Sequence, residues 1–343
     1  MARPDFLIGG IAVAPGTRRP VDLHVSVLSN HTPMSLPVHV VHGHEHGPVM
    51  FISGVIHGDE VMGVEVVRRV LAHPALKAMK GTLLAVPIVN GFGLISHSRY
   101  LPDRRDLNRS FPGSDHGSLA SVLADLLMRE VVLRCDYGVD IHSAALHRTN
   151  LPQIRISPDD DELMDMAYAF GAPVILVSRL RDGSLRQSAL DRGVKVLVYE
   201  GGEALRFEPG AIEAAVTGIL RVMASLGMIG PGHADAPAKK PTVSVSSHWL
   251  RAPEGGIFRS RLGIGDWVKK DELLGVVSDP LGIQETQVAA IQTGIIIGQS
   301  HLPVVNRGDA LFHIARADHP GMAQGHVEAS EAQGPLYDED EII

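Results

Sequence analysis

Apolar and polar positions alternate through Val21-Asp22-Leu23-His24-Val25-Ser26-Val27, the period of a strand with one buried face. Residues 5–56 read mostly as strands and turns, closing on an apolar run over 49–56 that gives way to Gly58. The period then changes. Val64, Val67, Val70 and Leu71 fall three or four apart, which predicts a helix over 61–71. The switching continues down the chain: a strand over 82–89, a helix over 119–133, a short strand over 137–141, a helix over 161–170, a strand over 194–199 and a helix over 211–226. Strands alternating with helices predict an α/β fold, a largely parallel central sheet sandwiched by helices.

Beyond 230 the composition shifts. Residues 231–241 are rich in Pro, Gly, Ala and Lys and read as a linker between a domain over 1–230 and a second, smaller one. No helical period appears in 242–316, where short apolar runs are separated by glycine turns, predicting a small all-β domain. Gly265-Asp266 and Gly308-Asp309 stand in similar apolar settings and hint at an internal two-fold repeat. Residues 317–343 read as a mobile acidic tail.

That tail changes the meaning of the net charge. The chain of 343 residues carries a formal charge of −8, and seven acids with no Lys or Arg lie in 317–343. The remainder is close to neutral, without the clustered Lys and Arg that grip phosphate backbones, and aromatics make up only 4%. Nucleic acid is therefore not expected as a partner. No signal-peptide pattern opens the chain and no apolar run reaches about 18 residues, so no membrane span is expected and a cytoplasmic location is the default. Cys135 is the single cysteine, which excludes disulfides within the chain and Cys-rich zinc modules and reads as a buried small hydrophobe.

Histidine is the abundant metal-ligand type, with 18 copies. His57 and Glu60 stand three apart where the 49–56 strand exits, and in an open α/β sheet ligands bind beyond the carboxyl ends of strands. The competing reading of Glu60 is a helix-capping acid. His142 ends a second strand and would reach the same crevice. Two imidazoles and one carboxylate form a catalytic zinc set with an open position for water, whose pKa zinc lowers from about 15.7 to about 7. Asp140 would orient a ligand from behind. Glu200 closes a third apolar strand before Gly201-Gly202; partial burial would raise its pKa toward that of a general base. Arg99, Arg104, Arg105, Asn108 and Arg109 gather in one segment suited to an anionic substrate. His39, His42, His44 and His46 form the densest histidine group; Gly43 and Gly47 favour a solvated turn there over a second metal site.

Four ordered motifs now carry a resemblance. Gly54-Val55-Ile56-His57-Gly58-Asp59-Glu60, Asp106-Leu107-Asn108-Arg109-Ser110-Phe111-Pro112-Gly113, Asp140-Ile141-His142 and Glu200-Gly201-Gly202 together resemble the succinylglutamate desuccinylase/aspartoacylase family, a branch of the zinc carboxypeptidase-like fold. The resemblance covers roughly residues 45–225. It implies His57, Glu60 and His142 as ligands of one zinc ion, Glu200 as general base, Arg99 as the group polarising the scissile carbonyl, and Asn108 with Arg109 as the substrate-carboxylate anchor. Arg99 lies farther from Asn108 than the family pattern leads one to expect. Arg155, Arg181 and Arg186 are candidates for the distal end of the substrate, but read first as surface or structural arginines.

Residues 242–316 resemble biotinyl/lipoyl-like barrel-sandwich domains through their Gly-Asp turns. A swinging-arm carrier needs a lysine on the central hairpin, and residues 271–316 contain none. The expected function is a zinc-dependent amidohydrolase that cleaves the amide of a small anionic N-acyl amino acid. A metallocarboxypeptidase acting on short peptides and a non-catalytic metal-containing binding protein are the alternatives. A homo-oligomer is left open.

Overall fold

The computed structural model describes residues 3–233, 235–237 and 239–317. The expected acidic tail therefore lies outside the described residues, Ala317 apart. A 13-stranded sheet dominates. Its main path runs Ser247–Arg251, Ala310–Arg316, Gly294–Ser300, Arg148–Ile156, Lys195–Glu203, Tyr137–Ala144, Val49–Gly54, Thr82–Val86, Pro33–His42 and Thr17–Val27. The four strands from Lys195–Glu203 to Thr82–Val86 are mutually parallel, and their flanking neighbours pair antiparallel, so the sheet is mixed.

Period-two alternation divides each central strand between two cores. Met50 and Ile52 face helices Met62–Ala72, Asp161–Phe170 and Pro209–Ser225, whereas Phe51 faces Leu119–Glu130 and Leu185–Leu190. Val66, Val67 and Val70 bury the inner stripe of Met62–Ala72, each contributing about 1.5–3 kcal/mol of transfer free energy. The helix predicted over 119–133 ends at Glu130, and a 3-10 turn, Val132–Arg134, carries the chain on to buried Cys135.

Parallel pairing sets the rim that matters. Glu200 lies in register with His142 on adjacent strands, and Gly54 lies in register with Ile141 on the next pair. Three strands thus release their following residues on one side of the sheet.

The carboxy-terminal β segments are continuous with this sheet. Arg148–Ile156 divides its outer edge between Val174–Val177, paired in parallel along Gln153 to Ile156, and Gly294–Ser300, paired antiparallel at Arg148 to Asn150. Thr242–Ser244 then seals the far side of Val174–Val177. Gly298 makes this junction tight: a Cβ there would stand 3.0 Å from Asn150 Oδ1 and 3.1 Å from His313 Cβ. A second sheet of four antiparallel strands, Glu285–Ala289, Leu273–Ser278, Gly256–Ser260 and Val304–Val305, packs over Phe258, Leu274, Leu311 and Phe312. The two Gly-Asp turns share one geometry. Gly265 and Gly308 have φ of 86° and 93°, and each following aspartate accepts a backbone N–H three residues back, from Gly263 and from Asn306.

The histidine group at 39–46 corrects the expectation of a solvated turn. His39 and His42 lie in the Pro33–His42 strand, and His42 is buried between Thr82 Oγ1 at 2.8 Å and the Pro4 carbonyl oxygen at 3.0 Å. Only His44 and His46 are exposed on the turn after the strand.

Candidate active site

Beyond Gly54 the chain turns sharply. Val55 adopts φ 59°, a left-handed conformation that strains a β-branched residue by about 1–3 kcal/mol. It is held there by Asn90, whose N–H donates to the Val55 carbonyl at 2.8 Å. Gly58 packs so closely on the short helix Gly91–Ser96 that a Cβ would stand 2.0 Å from the Gly93 carbonyl carbon. These constraints fix the approach of His57 and Glu60.

The two residues meet His142 in a fully buried cluster. Glu60 Oε1 is 2.6 Å from His57 Nδ1, and Glu60 Oε2 is 2.8 Å from His142 Nδ1. One potential ligand atom from each of the three lies within 4.8 Å of the others; among the described residues this is the one such group. Each imidazole uses its other nitrogen on a second carboxylate: His57 Nε2 on Asp106 Oδ1 at 3.2 Å, His142 Nε2 on Asp140 Oδ2 at 2.8 Å. Asp140 is itself fixed by the Ser53 hydroxyl at 2.7 Å. Both Nδ1 atoms are thereby oriented inward, the pattern that prepares histidines for a metal. A borderline ion of the zinc type suits two imidazoles and a carboxylate, and the residues present fit it.

The electrostatics stem from these contacts. Burial pushes the His57 imidazole down, but the Glu60 charge and the Asp106 hydrogen bond outweigh it and raise its pKa to about 9. Burial likewise opposes the charge on His142, and Asp140 with Glu60 lifts it well above the usual range. Glu60 is driven the other way: burial disfavours its charge, yet the two histidines hold it far below the ordinary carboxylate range.

Arg99 stands behind this cluster. Its Nε and Nη2 donate to Asp106 Oδ2 at 3.2 and 2.9 Å, and its Nη1 lies 3.4 Å from Glu60 Oε1. Arg99 does not line the cavity, so it reaches the site by way of Glu60. Asp106 also accepts the Asn108 N–H at 2.7 Å, which starts the 3-10 turn Leu107–Arg109. The Asn108 side chain accepts the Leu185 N–H at 3.0 Å and joins this loop to the 181–186 segment. Arg104 and Arg105 are exposed and lie outside the cavity.

A cavity of about 100 Å³ opens on the cluster and is shared by His57, Glu60, His142, Asn108, Arg109 and Glu200. Six of the seven expected site residues therefore come together at its wall. Glu200 Oε2 accepts from Asn150 Nδ2 at 3.1 Å, and Arg155 Nε lies 3.8 Å from Oε1. Arg155, Arg181 and Arg186, candidates for the distal end of the substrate that read first as surface or structural arginines, all line the cavity. Burial and the neighbouring Arg155 and Arg181 charges lower the Arg186 pKa to about 10, and its Nη1 is buried without a hydrogen-bond partner. Asp106, Arg148, Asn150 and Trp249 belong to the site without being found by sequence reasoning. Only Asp106 leaves a signal, since it opens the motif that holds Asn108 and Arg109.

A family model described as the succinylglutamate desuccinylase/aspartoacylase catalytic domain matches residues 46–226, more than half of the chain. The chain belongs to this family. Among curated proteins, N-alpha-acetyl-L-2,4-diaminobutyric acid deacetylase of Halomonas elongata is 26% identical over 294 residues, 82% of this chain and 85% of that one. Two solved structures share the fold. A succinylglutamate desuccinylase/aspartoacylase from Rhodobacter sphaeroides superposes with a TM-score of 0.76 at 23% identity, covering 87% of this chain and 95% of its own. The product-bound ectoine utilization protein EutE from Ruegeria pomeroyi gives 0.78 at 21% identity, covering 88% and 95%. The α/β fold expected from sequence thus stands as the mixed-sheet fold of this family with antiparallel strands added at its carboxy-terminal side. No helix among the described residues is long and apolar enough to cross a membrane.

Proposed function

We propose that this desuccinylase/aspartoacylase family member is a zinc-dependent hydrolase that cleaves the amide of a small anionic N-acyl amino acid. The observation carrying the reading is the sharing of one small cavity by the His57, Glu60 and His142 donor set and the Glu200 carboxylate. A zinc ion held by His57, Glu60 and His142 would supply Lewis acidity to the scissile carbonyl and acidify a water molecule. Glu200 takes a proton from the attacking water as its oxygen bonds to the carbonyl carbon. It then delivers that proton to the amide nitrogen as the C–N bond breaks, giving a carboxylate and a free amine. Asn150 steadies Glu200 through its amide, and Arg99 places a fixed positive charge beside Glu60. Asn108 and Arg109 anchor the substrate carboxylate.

Arg155, Arg181 and Arg186 favour an additional acidic group on the substrate over an amine such as that of the Halomonas relative's diaminobutyrate. A guanidinium buried with an unpaired nitrogen, as Arg186 is, is costly, and a carboxylate satisfies it in bidentate fashion.

Elemental analysis is expected to return about one zinc per chain. A panel varying the acyl group and the amino acid should show hydrolysis, with N-acyl aspartate and glutamate ahead of N-acetyl-diaminobutyrate. Glu200→Gln should retain the metal while kcat falls by about 10²–10⁴-fold. Unchanged turnover in that variant, or cleavage of peptides alone, rejects the reading.

A further inference from the structure

We propose that Trp249 sizes the acyl group of the substrate, a role that rests on the deacylase reading of the same cavity. Of the residues lining the cavity, Trp249 is the one that comes from beyond residue 226. It is carried by the Ser247–Arg251 strand, whose sheet neighbour is Ala310–Arg316.

The indole is held as a rigid plate. It stacks on the His313 ring at 4.8 Å with an interplanar angle of 12°, and His313 Nε2 is anchored 2.9 Å from the Ser247 hydroxyl. The Arg148 guanidinium lies over the indole, 5.3 Å from its centroid. Gly298 adjoins the benzo edge of the indole, a Cβ there being 3.4 Å from Trp249 Cη2. The indole Nε1–H is buried and has no hydrogen-bond partner in the protein. A buried, unpaired donor on a rigid ring beside a reaction cavity is a feature that a bound carbonyl or carboxylate oxygen would satisfy.

Two walls of the cavity can be told apart by what holds them together. One joins Asn108 and Arg109 to the 181–186 segment through the Leu185 N–H and, next to it, the Phe111 N–H on the Gly183 carbonyl at 2.9 Å. The other joins Arg148 and Asn150 to Trp249 across the strand pair Arg148–Ile156 and Gly294–Ser300. The first wall takes the amino-acid carboxylate in the deacylase reading. The second is left for the acyl end, where the indole, backed by His313 and covered by Arg148, stands as a rigid stop that limits chain length.

The test compares kcat/KM for N-acetyl-, N-propionyl- and N-butyryl-L-glutamate in the zinc-loaded protein. The parent should lose about tenfold or more per added methylene. Trp249→Ala should raise the butyryl-to-acetyl ratio at least tenfold, chiefly through KM. Trp249→Phe, which keeps a ring against His313, should fall between the two and guards against a misfolded alanine variant. A ratio unchanged in both variants overturns the proposal. A second readout needs no turnover. In a Trp267→Phe background Trp249 is the sole tryptophan, and its emission should be quenched on adding N-acetyl-L-glutamate. Emission that does not respond also overturns the proposal. Turnover absent over the whole acyl panel rejects the deacylase reading instead, leaving the emission response to decide whether Trp249 touches the ligand.

Discussion

Asp106 serves three partners at once: the His57 ring, the Arg99 guanidinium and the Asn108 backbone. Burial works against its charge, but the His57 hydrogen bond and the nearby positive charges hold its carboxyl far below the usual range. Asp106→Ala should therefore loosen the metal as well as the arginine. A loss of about 10–100-fold in zinc affinity is expected, read by competition with a chromogenic chelator, because an outer partner of a ligating histidine sets its orientation. Asp106→Asn keeps one acceptor and should lose less. This residue also marks the limit of what the sequence discloses. His57 and Glu60 are legible because the turn that joins them is local, and His142 and Glu200 because each closes an apolar run in the sequence, although both strands run on past them. Asp106 stands 49 residues from His57, and Asn150 stands 50 from Glu200. Those contacts are made by tertiary packing, for which the linear pattern holds no period.

Helix Asp161–Phe170 is legible in the sequence with its observed bounds, and its first turn shows why. Asp160 caps it by accepting the Leu163 N–H at 3.0 Å and pairs with Lys195 on a neighbouring strand. Burial opposes the Asp160 charge, yet Lys195 and the helix N–H prevail and its pKa is lowered. A depressed carboxyl stabilises the fold above its unfolded pKa of about 3.9 and loses that effect as pH falls through its folded value. In urea titrations Asp160→Ala should cost about 1 kcal/mol or more at pH 7. Asp160→Asn, which retains the cap, should cost less, and its difference from the parent should shrink below about pH 4. The Arg148–Ile156 strand shows the opposite situation. Asn150 and Arg155 on this strand line the cavity beside the His57, Glu60 and His142 cluster, and Gln153 is fully buried, so the apolar alternation that betrays a strand is absent. Its function erased its signature. The end of Pro33–His42 is obscured for a related reason: His42 is buried as a hydrogen-bonded polar group just before Gly43 and Gly47, which suggest a turn.

At the scale of the whole molecule, the proposed metal site links metal binding to stability. An ion that binds only the folded chain adds about 4.1 kcal/mol at a free concentration about 1,000 times its Kd. With a midpoint shift of about 2–4 °C per kcal/mol, exhaustive chelation should lower Tm by roughly 10 °C. Zinc should restore it, and His142→Ala should abolish the difference between chelated and loaded samples in a calorimetric scan. The sheet has a further consequence, for how the chain is made. The Arg148–Asn150 part of that outer edge is closed by residues 298–300, about 150 positions later, and that strand leans in turn on Ala310–Arg316. On the ribosome, the segment bearing Asn150 must wait with open backbone groups until nearly all of the described chain has emerged. Pairings so distant in sequence form slowly and leave edges exposed to other chains in the interval. The strand that backs this wall of the cavity is thus among the last of the described residues to be synthesised, and slower synthesis should raise the soluble fraction by shortening the competition for that open edge.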